Sequence, residues 1–432
     1  MKKSLLTILI VFFSNLAFSQ KHLTAEESDP NTMGWMQGFP PSKERLALAE
    51  DGSFFTFPEL RYSVCHMRQF LPTTEVASAQ ENRYEFRLAL DTYIDSLTFK
   101  PLNSNQKITW VQSLPENYTD GVIILHKGNI VYEKYFGALK PKGVHAAMSV
   151  SKTFTGTLGA MLVAEGVLDE NKTAAAYIPE LGSSAFGDAT IRQILDMTTS
   201  LKYSEDYSDP NAEVWIFSAA GNPLPKAKEY NGPKNYIEYL QTVKKDDTQH
   251  GEVFAYKTIN TDAMGWIVSR ATGKSIPQLL SERIWKPLGT HIDGYYQVDA
   301  SGIAFAGGGF SANMRDMAMF GEMIRNKGFF NNQQILPISL IEDIMKGGNQ
   351  DAFQKSAYTS LKNWSYRNMW WITHNKNGAF AARGVHGQII YIDPMAEMVI
   401  VRFASHPEAK NSKIDPTSLP AYQAVADYLM QK

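Results

Sequence analysis

Ser149 and Lys152 stand three residues apart in HAAMSVSKTFTGTLGAMLVAEG, residues 145–166, at the start of a run that is otherwise apolar or small. On a helix, residues three apart are neighbours, with about 5–6 Å between Cβ atoms, so the amine can reach the hydroxyl. A serine hydroxyl is a weak nucleophile until a base takes its proton. A lysine serves as that base once burial and nearby dipoles bring its pKa down toward neutrality. The helix N-terminus disfavours the ammonium and aims backbone N–H groups at a developing oxyanion. Spacing and residue type together fit a nucleophile with its base.

The spacing alone is weak evidence, because roughly one or two Ser-x-x-Lys matches arise by chance in a chain this long. A second copy, Ser104 and Lys107, lies in PLNSNQK. No helical pattern follows it, and Ser104 reads as a solvated loop residue. Ser149 differs by its surroundings: a strand hairpin, a short loop, then an apolar helix.

The elements that would position the pair are readable from pattern. GVIILH and IVYEKYFG flank Lys127-Gly128-Asn129 and predict a β-hairpin. From Ser149 the period changes to that of a helix. Val150, Phe154, Leu158, Met161 and Leu162 share one face, and Gly166 sits at the C′ position. Helices follow in ATIRQILDM after Asp188, TDAMGWIVSRA up to Gly273, and IPQLLSERIW after Ser275. Another starts near Asn313, with Asp316 three residues on as a loose capping pattern. GQIIYID and MVIVRFAS form a second hairpin, and LPAYQAVADYLM a last helix.

Strands toward both ends with helices between them predict an α+β fold, an antiparallel sheet flanked by helices with a mainly helical region inserted. The expected parts are a signal peptide over 1–19, an N-terminal extension packed on the body over 20–105, an α/β sheet domain from 106–160 and 360–432, and a mainly helical insertion over 161–359.

Lys2 and Lys3, the apolar run Leu5 to Phe13 and Ala17-Phe18-Ser19 have the order of a secretory signal cut before Gln20. The run is too short to span about 30 Å of hydrocarbon. The chain is therefore expected to be exported, to periplasm or medium, with no membrane span. Formal net charge is −2, and loss of Lys2 and Lys3 leaves −4, without basic runs. That argues against nucleic acid as a partner. The single cysteine, Cys65, allows no internal disulfide, and with the scattered histidines it excludes a Cys/His zinc site. No metal and no cofactor are expected.

EVFAYKTINTDAMGWIV places Tyr256 two residues before Thr258 and just ahead of a helix. It resembles the tyrosine motif, Tyr-x-Asn or Tyr-x-Ser, of the serine β-lactamase and D,D-peptidase-like hydrolases. ARGVHGQIIYIDP is similar to that family's third motif, the strand edge facing the nucleophile, and the order of the three motifs agrees. RQILDMTTSLKY and RIWKPLGT are like further family segments, so the likeness spans about residues 120 to 405. Within the family, MGWMQGFPP, EDYSDPN and RGVHGQ look most like the class C-like branch of carboxylesterases and 6-aminohexanoate-dimer hydrolases.

The resemblance implies the β-lactamase/D,D-peptidase-like fold and a set of roles. Ser149 would be the acylated nucleophile. Lys152 would be its base, or would hold Tyr256 as phenolate, since an unperturbed tyrosine has a pKa near 10. Which of the two takes the proton is left open. The oxyanion hole would be the N–H groups of Ser149 and Val385, with Gly384 keeping the strand edge slim. Tyr207 and His386 are candidate substrate contacts, though a surface turn and a hydrogen-bonded structural histidine are their plainer readings. Trp370 and Trp371 read as core, and Glu205 and Asp209 as loop charges.

One departure bears on the substrate. The family's lactamases carry Lys-Thr-Gly where this chain has Ala382-Arg383-Gly384. The hydroxyl is missing and the cation has moved one place. A small ester or an aminohexanoate-type amide is therefore the expected substrate of a serine hydrolase. A β-lactam-directed activity and a non-catalytic binding protein with a vestigial site stand as alternatives. Oligomeric state is not readable from the chain.

Overall fold

The computed structural model describes residues 22–206, 209–226 and 228–432. The expected signal segment and Tyr207 lie outside the described residues. Among the described residues, no helix is long and apolar enough to cross a membrane.

The centre is a seven-stranded, wholly antiparallel sheet drawn from the two ends of the chain. In chain order its strands are β1 (Thr119–His126), β2 (Asn129–Tyr135), β3 (Ser365–Arg367), β4 (Trp370–Ile372), β5 (Phe380–Arg383), β6 (Ile389–Asp393) and β7 (Met398–Ala404). Their spatial order is β3-β4-β5-β6-β7-β1-β2, so the two expected hairpins meet at the β7–β1 pair. Both faces of this sheet are covered. Ile123, Leu125, Val399 and Val401 face one core, and Val122, Ile124, Met398 and Ile400 face the other. Burial on both sides is why GVIILH is an unbroken apolar run and not an alternation.

Helices cover the two faces. The helix α3 (Met314–Arg325) lies on β7, β6 and β1, and α4 (Asp415–Leu429) packs on the opposite layer. Asn313 caps α3 by accepting from Arg315 N at 3.0 Å. Asp316 does not close a capping box. It accepts instead from His291 N and Ile292 N, at 2.9 and 3.0 Å. Likewise Thr190, with Gln193, caps the helix Ile191–Leu195, while Asp188 pairs with Lys245 and His250.

On the α3 side runs α1 (Ser151–Ala164), packed against α2 (Ile259–Thr272). The sequence pattern points to one buried face, but every residue from Ser151 to Leu162 is buried. Thr153, Thr155, Thr157, Gly156, Gly159 and Ala160 are small enough to be surrounded, and a helix enclosed on all sides needs such residues where neighbours come close. At Gly156 an added Cβ would stand 2.5 Å from the Asn368 carbonyl and 2.7 Å from Met369 Cβ. Gly156→Ala is therefore expected to destabilise the fold by about 1–3 kcal/mol. A lowered midpoint of urea unfolding checks this, and an unchanged midpoint would mean that β-sheet and helix can separate at no cost.

A second, four-stranded sheet holds the entry to α1. His145–Ala146 pairs with Phe310–Ala312, which pairs with Gly294–Gln297, which pairs with Thr73–Val76 of the N-terminal segment. Arg61 of that segment reaches Asp120 on β1 at 3.3 Å, and His145 reaches the same carboxylate at 3.2 Å. All three are buried, and a buried carboxylate needs such partners. The N-terminal segment is thus tied to the residue four places before Ser149.

Candidate active site

Ser149 lies in a 3₁₀ turn, Met148–Val150, and the α-helix proper begins at Ser151. Met148 takes a left-handed φ of 48°, and Ser149 is half-buried between fully buried neighbours. Such a strained turn leaves one side chain open where the rest are enclosed. The spacing of three survives: Lys152 Nζ donates to Ser149 Oγ at 2.8 Å. It also donates to the Gly307 carbonyl at 2.6 Å. Lys152 is 1% exposed. Burial lowers its pKa to about 8, against the opposite pull of Glu205 and Asp262.

Tyr256, just ahead of α2, brings its hydroxyl to Ser149 and its ring to 5.1 Å from Lys152 Nζ. Its ring packs on Trp371, with centroids 5.3 Å apart, and edge-on to Tyr366. Trp370 is wholly core, but Trp371 forms the wall behind the tyrosine. Burial pushes the Tyr256 phenol well above its ordinary value, and the neighbouring Tyr366 adds to this. A phenolate on Tyr256 is therefore disfavoured, whereas burial brings the neutral form of Lys152 within reach of ordinary pH.

Across from Ser149 is the end of β5. Gly384 is extended, with φ −132°, so its backbone needs no glycine for conformation. Space requires one: an added Cβ would stand 2.9 Å from the Ala147 carbonyl and 3.0 Å from Ser149 N. The strand end and the serine turn thus meet backbone to backbone, with half-buried Val385 next in line. His386 follows with a left-handed φ of 61°. Its Nδ1 is 2.7 Å from the His406 carbonyl, and its ring meets Phe55 edge-on. Burial lowers its pKa to about 4, so the imidazole is neutral at ordinary pH.

Arg383 does not stand free in the cleft. It is buried, donates to both oxygens of Asp415 at 2.5 and 2.7 Å, and lies over Trp371 and Trp364. Its Nη2 is taken up by Asp415, so the buried guanidinium does not stand free to fork onto a substrate carboxylate.

Two acidic groups join the site. Glu205, read from sequence as a loop charge, accepts from Thr258 N at 2.8 Å and from the Thr258 hydroxyl. It caps the start of α2 from outside, where orphan N–H groups and the helix dipole favour an anion. Asp209 is an exposed turn residue, as expected. Asp262, on the first turn of α2, is buried and accepts from Gly307 N at 3.3 Å. Burial pushes its carboxyl up to about 7, against the pull of Lys152. In sequence it is an ordinary first-turn acid, and nothing but tertiary packing brings it to the lysine.

The arrangement can deprotonate a serine hydroxyl beside a closely packed strand edge, which is the chemistry of acyl transfer. Residues 110–419 match the Beta-lactamase family model. A 6-aminohexanoate-dimer hydrolase of Paenarthrobacter ureafaciens is 34% identical over 298 residues, covering 69% of this chain and 75% of that one. The structure named "Putative 6-aminohexanoate-dimer hydrolase from Bacillus anthracis" superposes with a TM-score of 0.82 at 34% identity, over 90% of this chain and 99% of that one. A family VIII carboxylesterase shares the fold alone, with a TM-score of 0.54 at 16% identity over 73% of this chain and 95% of that one. The chain belongs to the Beta-lactamase family, as a hydrolase similar to the 6-aminohexanoate-dimer hydrolases.

Proposed function

We propose that this protein is an exported serine hydrolase that cleaves a small ester or amide through an acyl-enzyme on Ser149. The observation that carries the reading is the buried Lys152 amine, fixed on the Ser149 hydroxyl at 2.8 Å and on the Gly307 carbonyl at 2.6 Å. Lys152 in its neutral form takes the hydroxyl proton as Oγ bonds to the substrate carbonyl carbon. The N–H groups of Ser149 and Val385 receive the oxyanion. As the tetrahedral species collapses, the proton passes by way of the Tyr256 hydroxyl to the leaving alcohol or amine. Water then attacks the acyl group with the same base, and Ser149 regains its proton. Export rests on the order of charges and apolar residues before Gln20.

The substrate class follows from what the site lacks. Ala382 offers no hydroxyl and Arg383 is held by Asp415, so a β-lactam carboxylate has no ready partner. The names of the relatives favour an aminohexanoate-type amide or a carboxylic ester. The test compares p-nitrophenyl butyrate, a short aminohexanoate amide and a chromogenic cephalosporin. The expected result is turnover of the ester or amide at least about a hundredfold faster in kcat/KM than of the cephalosporin, the span of a lost charge-assisted contact. Equal rates would point to β-lactam chemistry, and no turnover of any to a binding protein.

A further inference from the structure

Gly307 stands between two buried charges. Its carbonyl accepts from Lys152 Nζ at 2.6 Å, and its N–H donates to Asp262 Oδ1 at 3.3 Å. A Cβ on Gly307 would lie 2.9 Å from Asp262 Oδ2, so the carboxylate presses on this residue. Asp262 Oδ2 itself is buried without a hydrogen-bond partner among the described residues. Asp262 also lines a cavity of about 460 Å³ with Tyr236, Trp266, Ser269 and Ile303, which reaches exposed Gly273, Ser275 and Gly302. Neither Ser149, Lys152 nor Tyr256 lines that cavity.

A buried carboxylate with an unused oxygen is costly, and it is kept where its charge is used. We propose that Asp262 is a positioning residue for the base: through Gly307 it fixes the Lys152 amine on Ser149, and its charge sets the pH at which that amine becomes a base. The inference rests on the serine hydrolase reading above. The groups facing the lysine and this carboxylate are Glu205 from the loop before the helix Glu213–Gly221, Tyr256 ahead of α2, Tyr236 from the helix Tyr236–Thr242 and Tyr296 from the strand Gly294–Gln297. The three tyrosines are neutral, each phenol being raised by burial. Glu205 is half-buried and committed to Thr258, which leaves Asp262 as the enclosed carboxyl on the Gly307 side, an anion once the pH passes about 7. A negative charge there favours the ammonium, so removing it lets Lys152 lose its proton at lower pH.

The test is the pH profile of kcat/KM for p-nitrophenyl butyrate in the wild type, Asp262→Asn and Asp262→Glu. Asparagine keeps an acceptor for Gly307 N–H and removes only the charge. Its acidic limb is expected to move down by about one pH unit, so that activity at pH 7.5, where the wild-type carboxyl is largely ionised, rises about threefold relative to the plateau. Asp262→Glu should keep the limb within a few tenths of its place. A purely structural aspartate would alter the plateau and leave the limb where it was, and that result overturns the proposal. Should Asp262→Asn not fold, Asp262→Ser carries the same expectation. If both neutral variants fail to fold while Asp262→Glu folds, the charge serves the fold and the proposal is wrong. Fluorophosphonate labelling of wild-type Ser149 separates the two levels. Absence of label removes the serine reading itself, whereas label with an unmoved limb removes Asp262 alone.

Discussion

Ser149→Ala is expected to abolish ester hydrolysis, a loss of about a thousandfold or more in kcat, with folding intact. The size of the effect follows from the arrangement around one oxygen. Lys152 Nζ and the Tyr256 hydroxyl both converge on Ser149 Oγ. Neither is placed to replace it: Lys152 is fully buried, and a phenol that stays protonated is a poor nucleophile. Alanine fits the turn, since Ser149 is half-buried and its neighbours Met148 and Val150 carry the packing. A thermal midpoint within a degree or two of the wild type would show that only chemistry was lost. Retained turnover above about a tenth would mean that another group bonds to the substrate.

The second large effect is expected of Tyr256→Phe, a fall in kcat on the order of a hundredfold or more, as loss of a proton-transfer group brings. Phenylalanine keeps the ring against Trp371 and beside Lys152, so the change removes one oxygen. Burial and Tyr366 hold the Tyr256 phenol well above its ordinary value. It stays protonated across the working range, which in the proposed mechanism makes it a relay and hydrogen-bond donor. The pH profile distinguishes this from a phenolate base. With Lys152 as base, kcat/KM rises with pH through an inflection near 8, where burial places the lysine. That acidic limb should persist in Tyr256→Phe at a lower plateau. A loss under threefold would remove Tyr256 from the mechanism, and disappearance of the limb would make the tyrosine the titrating base.

What the chain discloses about this site divides by the range of the interactions. Ser149 and Lys152 are legible because their meeting needs no more than one helical turn. The two hairpins and the antiparallel sheet are legible because apolar runs on either side of short turns, as in GVIILH and IVYEKYFG or GQIIYID and MVIVRFAS, act locally. Tyr256 and the Gly384 strand come from a resemblance, and the packing explains why their residue types are needed. Gly384 is needed for its closeness to Ser149 N, not for a special backbone angle.

The groups that escape notice are those whose roles depend on distant partners. Asp262 and Glu205 look like a helix-favouring acid and a loop charge, and both descriptions are correct locally. Asp262 comes near its lysine only because α2 packs on α1, some 110 residues earlier, and Glu205 reaches Thr258 across 53 residues. Arg383 reads as a displaced substrate cation, but Asp415 at the head of α4 claims it. The burial of α1 on all sides is hidden for a similar reason. Threonine, glycine and alanine do not register as an apolar stripe, yet they are the residues an enclosed helix needs.

The most direct test of the account is to find where the protein is covalently modified. Protein beginning at Gln20 is treated with a fluorophosphonate, digested and analysed by mass spectrometry, beside Ser149→Ala. The account predicts a single adduct on the peptide carrying Ser149, formed faster as pH rises toward 9, and none in the variant. An adduct on any other residue, or equal labelling of Ser149→Ala, would contradict it.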